Sequence, residues 1–493
     1  MKLVKTLGLG AIALTAAGIV SAQSNPFAGT VVNVVGSTAF RGAVISAETA
    51  QLSHVGAFLP GGVALATFQG AGPVGKAGIS IVYGYDANGN EVMFRNHWTG
   101  SAAGTYDLAN GTLISQLPTT STLPGSGLAS GTDTDVTQPA TISFTDVQGA
   151  DAAAALSTAI GGGTFAATIS GAGLVDAGTT ANHAKGVAVA TFQWVLGKSA
   201  IAPANWAANP TASGALPFNL TQQNAASLIA SGSISLADVT GVAADANTYL
   251  ALVGRNEDSG SRIIGQAESL GGGTQGNANA FGAATSQFML EQDAIAYPTG
   301  PSNSTGAYPT INVGTTITGF KLWPRLQALP SGTGWTVSTI PALTWKTIGH
   351  SGYNGGGDVA NILSTNNPVT ISGNFATGGH TGIPASATAV YFVSYLGSSD
   401  ANTVIGNGGV SLPYNGVPYS VNSIEEGQYT LWTFEHQYYT PALAGTAKTV
   451  ADGLADTLAG FSTATLGNGA PGIAVGDLLN GLGRGQVAGA RVP

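Results

Sequence analysis

Short runs of β-branched and apolar residues alternate along the chain with glycine- and serine-rich turns and with alanine-rich stretches of helical spacing. The runs predict strands at Thr30–Val35, Thr141–Phe144, Val187–Val195, Thr248–Gly254, Ala389–Tyr395 and Tyr429–Glu435. The stretches that follow predict helices at Ala39–Val55, Gly149–Ile160 and Ser261–Leu270. Strands that alternate with helices are typical of parallel sheets covered by helices, so the pattern predicts the α/β class.

Two long stretches rich in glycine, threonine, serine and proline interrupt this pattern, at Leu117–Gln138 and Pro298–Gly357. Their composition predicts β-rich or irregular insertions rather than further domains. Within the second stretch, residues 310–344 alternate apolar and polar side chains, which predicts additional strands there.

The first 22 residues have the pattern of a secretory signal. Lys2 and Lys5 precede the apolar stretch Leu7–Val20, and Val20-Ser21-Ala22 then supplies the small residues that suit cleavage. The apolar stretch is shorter than the roughly 20 residues that a transmembrane helix needs. We therefore expect residues 1–22 to be removed, and the mature chain to be periplasmic or extracellular without membrane insertion.

Composition narrows the function classes. Charged residues are 8% of the 493-residue chain, against about 25% in a typical soluble protein, while hydrophobic residues reach 44%. The 24 acidic residues outnumber the 15 basic ones, so the chain lacks the positive surface that nucleic-acid binding requires. The absence of cysteine excludes disulfides, thiolate metal sites and cysteine nucleophiles. The six histidines are scattered, and neither a metal nor another cofactor is expected.

Small hydroxyl residues and glycines stand where four predicted strands end. The four turns are Gly36–Thr38, Gly100–Gly104, Thr145–Asp146 and Ser259–Ser261. The start of a helix has free N–H groups and the positive end of the helix dipole, and hydroxyl groups add further donors. Each turn alone is more typical of an ordinary helix N-cap. Because such turns converge on one cleft in an open α/β sheet, their combination predicts an anion site.

Arg255 and Asp146 indicate which anion would fit. Arg255 ends a predicted strand four residues before Ser259, where its guanidinium group can bind an oxyanion through two hydrogen bonds. Asp146 can only accept hydrogen bonds, so it tolerates an anion that carries a proton and repels one that does not. Since monohydrogen phosphate retains a proton at neutral pH and sulfate does not, Asp146 favours phosphate.

These segments resemble those of the PstS-like phosphate-binding proteins of ABC transporters, which belong to the type 2 periplasmic-binding superfamily. Arg255–Ser261 is similar to the family's Arg-Ser-Asp-Gly-Ser-Gly-Thr segment, with the same spacing from arginine to serine, and Gly36–Phe40 resembles its first anion loop. Ile142–Asp146 is similar to the segment that carries the family's ligand aspartate, and Gly100–Gly104 to the preceding loop. The similar segments are scattered from residue 31 to about residue 440.

The resemblance implies an α/β fold of two discontinuous domains with a hinge, in which ligand binding closes a cleft without catalysis or a cofactor. Domain I would comprise residues 26–185 plus 425–493, and domain II residues 186–424 with an insertion at about 298–357. The partners would be an ABC permease and inorganic phosphate or a related oxyanion such as arsenate. The implied phosphate-binding residues are Ser37, Thr38, Ser101, Asp146, Arg255, Ser259, Gly260 and Ser261.

Four features differ from the family pattern, and one of them, Ser261 in place of threonine, keeps the hydroxyl group. Glu257-Asp258 replaces Asp-Gly and adds a carboxylate near the mouth of the cleft, Ala39 leaves the register of the first loop open by one residue, and the chain is longer than usual. A second function therefore stays open: a structural or surface-interaction protein on the same scaffold, which self-assembles or binds a partner through its insertions. A third, a secreted phosphoesterase, has no visible metal cluster or activated nucleophile in the sequence.

Overall fold

A computed structural model of the chain gives the fold. It describes residues 29–52, 65–68, 78–117, 136–147, 173–177, 186–199, 203, 205–207, 216–255, 259–269, 286–290, 320–324, 355–364, 369–370 and 386–460. The predicted signal 1–22, the predicted helix Gly149–Ile160 and most of the insertion Pro298–Gly357 lie outside these residues.

Within the described ranges the chain forms strands and helices in alternation. The strands are β1 (Thr30–Gly36), β2 (Leu65–Phe68), β3 (Ile79–Tyr85), β4 (Glu91–His97), β5 (Leu113–Gln116), β6 (Val136–Pro139), β7 (Ile142–Thr145), β8 (Val175–Asp176), β9 (Ala188–Leu196), β10 (Trp206–Ala207), β11 (Leu216–Pro217), β12 (Ser233–Ser235), β13 (Thr248–Leu252), β14 (Ser286–Leu290), β15 (Phe320–Pro324), β16 (Val369–Thr370), β17 (Ala389–Gly397), β18 (Val410–Leu412) and β19 (Trp432–Tyr439). The α-helices are α1 (Arg41–Gln51), α2 (Ser101–Asn110), α3 (Gln222–Ser231), α4 (Ala237–Thr240), α5 (Gly260–Ser269), α6 (Gly356–Leu363), α7 (Ser398–Gly406), α8 (Val421–Glu425) and α9 (Gly445–Ala459).

One large sheet runs through the described part of the chain, in the order β12-β13-β17-β9-β19-β7-β1-β4-β3-β2. Strand β1 is parallel to both β4 and β7, and β13 is parallel to β17. The other neighbouring pairs in this order are antiparallel. The predicted α/β class is confirmed, but the sheet is mixed rather than parallel throughout.

Two long strands divide this sheet into two lobes. In β9, residues 188–191 pair with residues 432–435 of β19, whereas residues 192–196 pair with residues 393–397 of β17. In β19, residues 436–439 pair instead with residues 142–145 of β7. We call β1–β4, β7, α1, α2 and α9 the first lobe, and β12, β13, β17, α3 and α5–α7 the second lobe. The chain passes between the lobes within β9 and β19, near the predicted domain boundaries, which stay predictions.

Each lobe has its own core. In the first, Val44 of α1 and Leu454 of α9 are buried in one cluster with Val34 of β1. In the second, Trp194 of β9 packs edge-on against Tyr395 of β17, with ring centroids 5.3 Å apart. Burying a large apolar side chain stabilises a fold by about 1.5–3 kcal/mol, so each cluster holds the helices and strands of its lobe together.

Local sequence sets the ends of the helix that precedes β12 and β13. The Thr221 hydroxyl accepts a hydrogen bond from the Asn224 N–H at 3.1 Å, and Asn224 Oδ1 accepts one from the Thr221 N–H at 3.2 Å. This capping box satisfies free N–H groups at the start of α3. Gly232 ends the helix with φ of 79°, in the left-handed region that glycine adopts without strain.

Several predicted bounds change in the structure. The predicted strand Tyr429–Glu435 begins only at Trp432, because the Tyr429 N–H bonds back to the Ser423 carbonyl in the turn after α8. The predicted helix Ala39–Val55 is described over Arg41–Gln51. Strand β15 lies within the stretch 310–344 predicted to contain strands, and it pairs with β14 outside the large sheet. Among the described residues, no helix has both the length and the apolar character that crossing a bilayer requires.

Candidate functional site

Three turns of the first lobe meet at one edge of the sheet. Because β4 and β7 are both parallel to β1, the residues that follow these three strands lie at the same edge. The Ser37 N–H donates to the Phe144 carbonyl at 2.8 Å, and the Gly100 N–H donates to the Gly36 carbonyl at 2.9 Å. These backbone bonds join the turns that carry Ser37, Ser101 and Asp146.

Two glycines make this close approach possible. Gly36 has φ of 124°, and a Cβ there would overlap the Phe144 backbone. A Cβ at Gly104, in the first turns of α2, would lie only 2.6 Å from the Gly36 Cα. A larger residue at either position would push the turns apart, so the glycines in these two predicted anion loops have a definite steric role.

Two segments of the second lobe lie directly against these turns. A Cβ at Gly260, the first residue of α5, would overlap the Asp146 carboxyl group and lie 2.6 Å from Ser101 Oγ. A Cβ at Gly397, where β17 ends, would lie 3.0 Å from the Cβ of Ala39. The backbone of the second lobe therefore contacts the predicted binding turns of the first.

Arg255 connects the lobes through its side chain. It follows β13, is 2% exposed, and donates from Nη2 to Thr38 Oγ1 at 3.3 Å. Arg262 Nη1 in turn donates to the Arg255 carbonyl at 3.0 Å, which holds the backbone at this position. A buried guanidinium group fixed in this way can bind an oxyanion through two hydrogen bonds without first being ordered.

Asp146 lies beside this arginine and is 1% exposed. Burial raises the pKa of its carboxyl group, while the Ser101 hydroxyl, the positive charge of Arg255 and the Ser37 hydroxyl act in the opposite direction. Within the described part of the chain, neither carboxyl oxygen of Asp146 accepts a hydrogen bond with good distance and angles. Asp146 thus retains acceptor capacity at the edge where the turns meet.

Ser259 and Ser261 are also buried, on either side of Gly260. Ser259 Oγ accepts from the Arg262 backbone N–H at 3.5 Å, the bond that an N-cap residue makes. Of the eight predicted ligand residues, Thr38 contacts Arg255, and Gly260 contacts Ser101 and Asp146. Ser37 lies close enough to Asp146 to affect its pKa. Ser259 and Ser261 are brought to this group through their neighbour Gly260.

Sequence reasoning missed a further group on the same edge. A Cβ at Gly357, in the first turn of α6, would lie 3.9 Å from Arg41 Nη2 and 4.0 Å from Asp400 Oδ1. A Cβ at Gly356 would overlap the Asp400 carboxyl group and lie 3.5 Å from Arg255 Nη1. The start of α6 therefore lies between Arg41, in the first lobe, and Arg255, in the second lobe. Three consecutive glycines before an apolar helical stretch were the available signal.

The described ranges contain no group of three or more histidine, aspartate or glutamate side chains that could hold a metal ion. Of the described histidines, His436 lies with Nδ1 2.9 Å from Asp176 Oδ2, an ion pair when the histidine is protonated.

Solved structures of phosphate-binding proteins resemble this chain. A candidate phosphate ABC transporter substrate-binding protein from Clostridium perfringens, with phosphate bound, is 11% identical, with a TM-score of 0.40 over 90% of this chain and 100% of that one. PstS from Borrelia burgdorferi is 10% identical, with a TM-score of 0.34 over 90% and 98% of the two chains. An ABC-type phosphate transport receptor from Vibrio cholerae is 11% identical, with a TM-score of 0.35 over 87% and 96%.

No sequence-family model matches the chain, and no curated protein sequence matches it significantly. At TM-scores of 0.40 and below, the likeness to these solved structures is a general one. The two lobes are defined by the strand order and by the two strands that cross between them.

Proposed function

We propose that this chain is a secreted, non-enzymatic solute-binding protein that captures an oxyanion, phosphate in particular, between its lobes and delivers it to an ABC permease. The observation that carries the proposal is the meeting of Arg255 and the start of α5 with Thr38, Ser101 and Asp146 across the lobe boundary. The predicted signal supports secretion, and the domain bounds 26–185 plus 425–493 and 186–424 are part of the proposal.

The chemistry of these groups suits a protonated tetrahedral anion. Arg255 supplies a positive charge and paired donors, and the hydroxyl groups of Thr38 and Ser101 supply further hydrogen bonds. The N-terminus of α5 adds free N–H groups and the positive end of a helix dipole. Asp146 accepts a hydrogen bond from the ligand's own proton, which favours phosphate and arsenate over sulfate.

Binding would occur without chemical change. The lobes are connected by β9 and β19, and a bend in these two strands would open and close the cleft. In the closed arrangement the ligand is enclosed by groups from both lobes, so ligand binding stabilises closure.

Calorimetric titration of the chain from Gln23 with phosphate, and then with sulfate, tests the proposal. We expect one phosphate site per chain and sulfate binding at least about 100-fold weaker. Absence of both binding heat and thermal stabilisation with phosphate would reject the proposed function.

The second candidate is a structural protein on the same scaffold. The low charge of the chain and the β14–β15 pair outside the large sheet favour self-assembly through inserted strands. Light scattering with and without phosphate separates the two functions. Assembly that proceeds equally in both conditions, together with no phosphate binding, favours the structural role.

A further inference from the structure

A glutamate on a crossing strand lies beside the site. Glu435 pairs with Ala188 of β9, while its neighbour His436 already pairs with Thr145 of β7. In this antiparallel register, the residue opposite Glu435 on the β7 side is the one that follows Thr145, which is Asp146. Directly opposite residues share a face of the sheet, with Cβ atoms roughly 4.5–5.5 Å apart.

Both carboxyl groups are enclosed by protein. Glu435 is 0% exposed, and in the described ranges none of the four carboxyl oxygens of Glu435 and Asp146 makes a hydrogen bond of strict geometry. Two buried like charges that face each other repel, and each loses the hydration that stabilises it in water. The arrangement therefore favours one proton held between the two groups.

The surroundings decide which group holds that proton. Asp146 has the charge of Arg255 and the hydroxyls of Ser101 and Ser37 near it, all of which stabilise its ionised form. The pKa of Glu435 is raised well above its usual range by burial and further by the negative charge of Asp146.

The residues beside Glu435 in the sheet supply no positive charge that faces it. Glu435 pairs with Ala188 of β9, and Val187, the residue before β9, donates its N–H to the Glu435 carbonyl; neither residue titrates. On its own strand, His436 points to the opposite face, where it meets Asp176. Asp146 is the charged group that faces Glu435. Burial raises the pKa of both carboxyl groups, but nearby donors and Arg255 offset the rise only at Asp146, so the shared proton is held on Glu435.

This inference rests on the proposed function and extends it. We propose that Glu435 sets the charge of the anion site by holding a proton beside Asp146, so that the two carboxyl groups together carry one negative charge when phosphate binds. Loss of that proton adds a second negative charge next to the anion site. Phosphate affinity therefore decreases as the pH rises through the ionisation of Glu435.

The test compares phosphate affinity across pH in three forms of the protein. Glu435→Gln replaces the carboxylic acid with a neutral group of the same shape, and Glu48→Gln, in the equally buried Glu48 of α1, is the matched control. At pH values above the pKa of Glu435, the phosphate affinity of the wild-type protein is expected to fall by roughly tenfold per pH unit. This fall is counted after the change caused by the ionisation of phosphate itself has been subtracted. Near pH 7, the phosphate affinity of Glu435→Gln is expected to stay within about threefold of the wild-type value. At higher pH, Glu435→Gln should not show this additional fall in affinity, whereas Glu48→Gln should show it as wild type does.

Two outcomes overturn the inference. One is a pH profile that is the same in wild type and Glu435→Gln. The other is a Glu435→Gln protein that binds phosphate more than about tenfold tighter near pH 7, which would mean that Glu435 is normally ionised.

An infrared measurement keeps the inference testable if the variant fails to fold or if phosphate does not bind. Near neutral pH the wild-type protein should show two C=O bands of buried protonated carboxyl groups, one from Glu435 and one from Glu48. As the pH rises, each band should disappear when its own carboxyl group ionises. A single such band contradicts the role of Glu435. Wild-type protein that shows both bands but binds no phosphate rejects the proposed function alone.

Discussion

Arg255 and Thr38 are 217 residues apart in the sequence, yet the arginine Nη2 donates a hydrogen bond to the threonine Oγ1 at 3.3 Å. Arg255 follows a strand of the second lobe and Thr38 a strand of the first. The bond therefore spans the lobe boundary at the point where an anion would meet both residues.

Arg255→Ala is expected to weaken phosphate binding by roughly 100-fold or more, about 3 kcal/mol, because the buried anion loses a full positive charge and paired donors. Isothermal titration measures the change. Lys448→Ala, at a half-exposed lysine of α9 that pairs with Asp452, is the control and should bind as wild type does. Equal binding by Arg255→Ala and the control would remove Arg255 from the site.

Gly260→Ala is expected to keep the lobes from closing fully, since the new methyl group would overlap the Asp146 carboxyl group. Phosphate affinity should fall by more than about tenfold, and small-angle scattering should show a wider particle with phosphate present. Gly406→Ala is a matched control because Gly406 is also a helical glycine, and no described atom outside its own helix backbone lies within 4 Å of the new methyl group. Identical scattering by both variants with phosphate would argue against contact at Gly260.

Asp146→Asn is expected to reduce the selectivity for phosphate over sulfate. The neutral amide no longer repels an unprotonated anion and can donate to it, so sulfate should bind more tightly, while phosphate exchanges a charged acceptor for a weaker neutral one. We expect the ratio of the two affinities to fall by roughly 100-fold in competitive titration. Asp452→Asn, at a half-exposed position on α9, should leave the ratio as in wild type. A ratio that does not change in Asp146→Asn would assign selectivity to other groups.

Glu48→Gln is expected to change the pH dependence of stability. Burial raises the pKa of Glu48 to about 8, partly offset by a hydrogen bond from Asn96 Nδ2 at 2.9 Å. A carboxyl pKa that is higher in the folded state means that the free energy of unfolding falls as the pH rises from about 4.5 to about 8. The slope should approach 1.4 kcal/mol per pH unit, as an order of magnitude.

Urea unfolding across this pH range should show a smaller slope in Glu48→Gln than in wild type. The variant is expected to be the more stable protein at the alkaline end of the range. Glu426→Gln, at an exposed glutamate after α8, should keep the wild-type slope. A Glu48→Gln slope equal to that of wild type would mean that Glu48 is not the group that titrates.

The sequence predicts the turns of the site better than the contacts between them. Ser37, Ser101 and Arg255 each stand where an apolar run ends, and local pattern is enough to find such positions. The position of Arg41 beside α6 depends instead on Gly357, more than 300 positions away in the sequence, and no periodicity predicts a contact over that separation. The sequence did not indicate Glu435 for another reason. Alternation in a strand predicts that a charged side chain faces solvent, but both faces of β19 are buried.

The crossing strands β9 and β19 have a consequence for how this molecule unfolds. One part of each strand pairs within the first lobe or with the other crossing strand, and another part pairs towards the second lobe. Unfolding of one lobe therefore breaks hydrogen bonds that also hold the other lobe. Thermal melting should therefore follow a single cooperative transition, and polypeptides cut at the lobe boundary should not reproduce the stability of the intact chain.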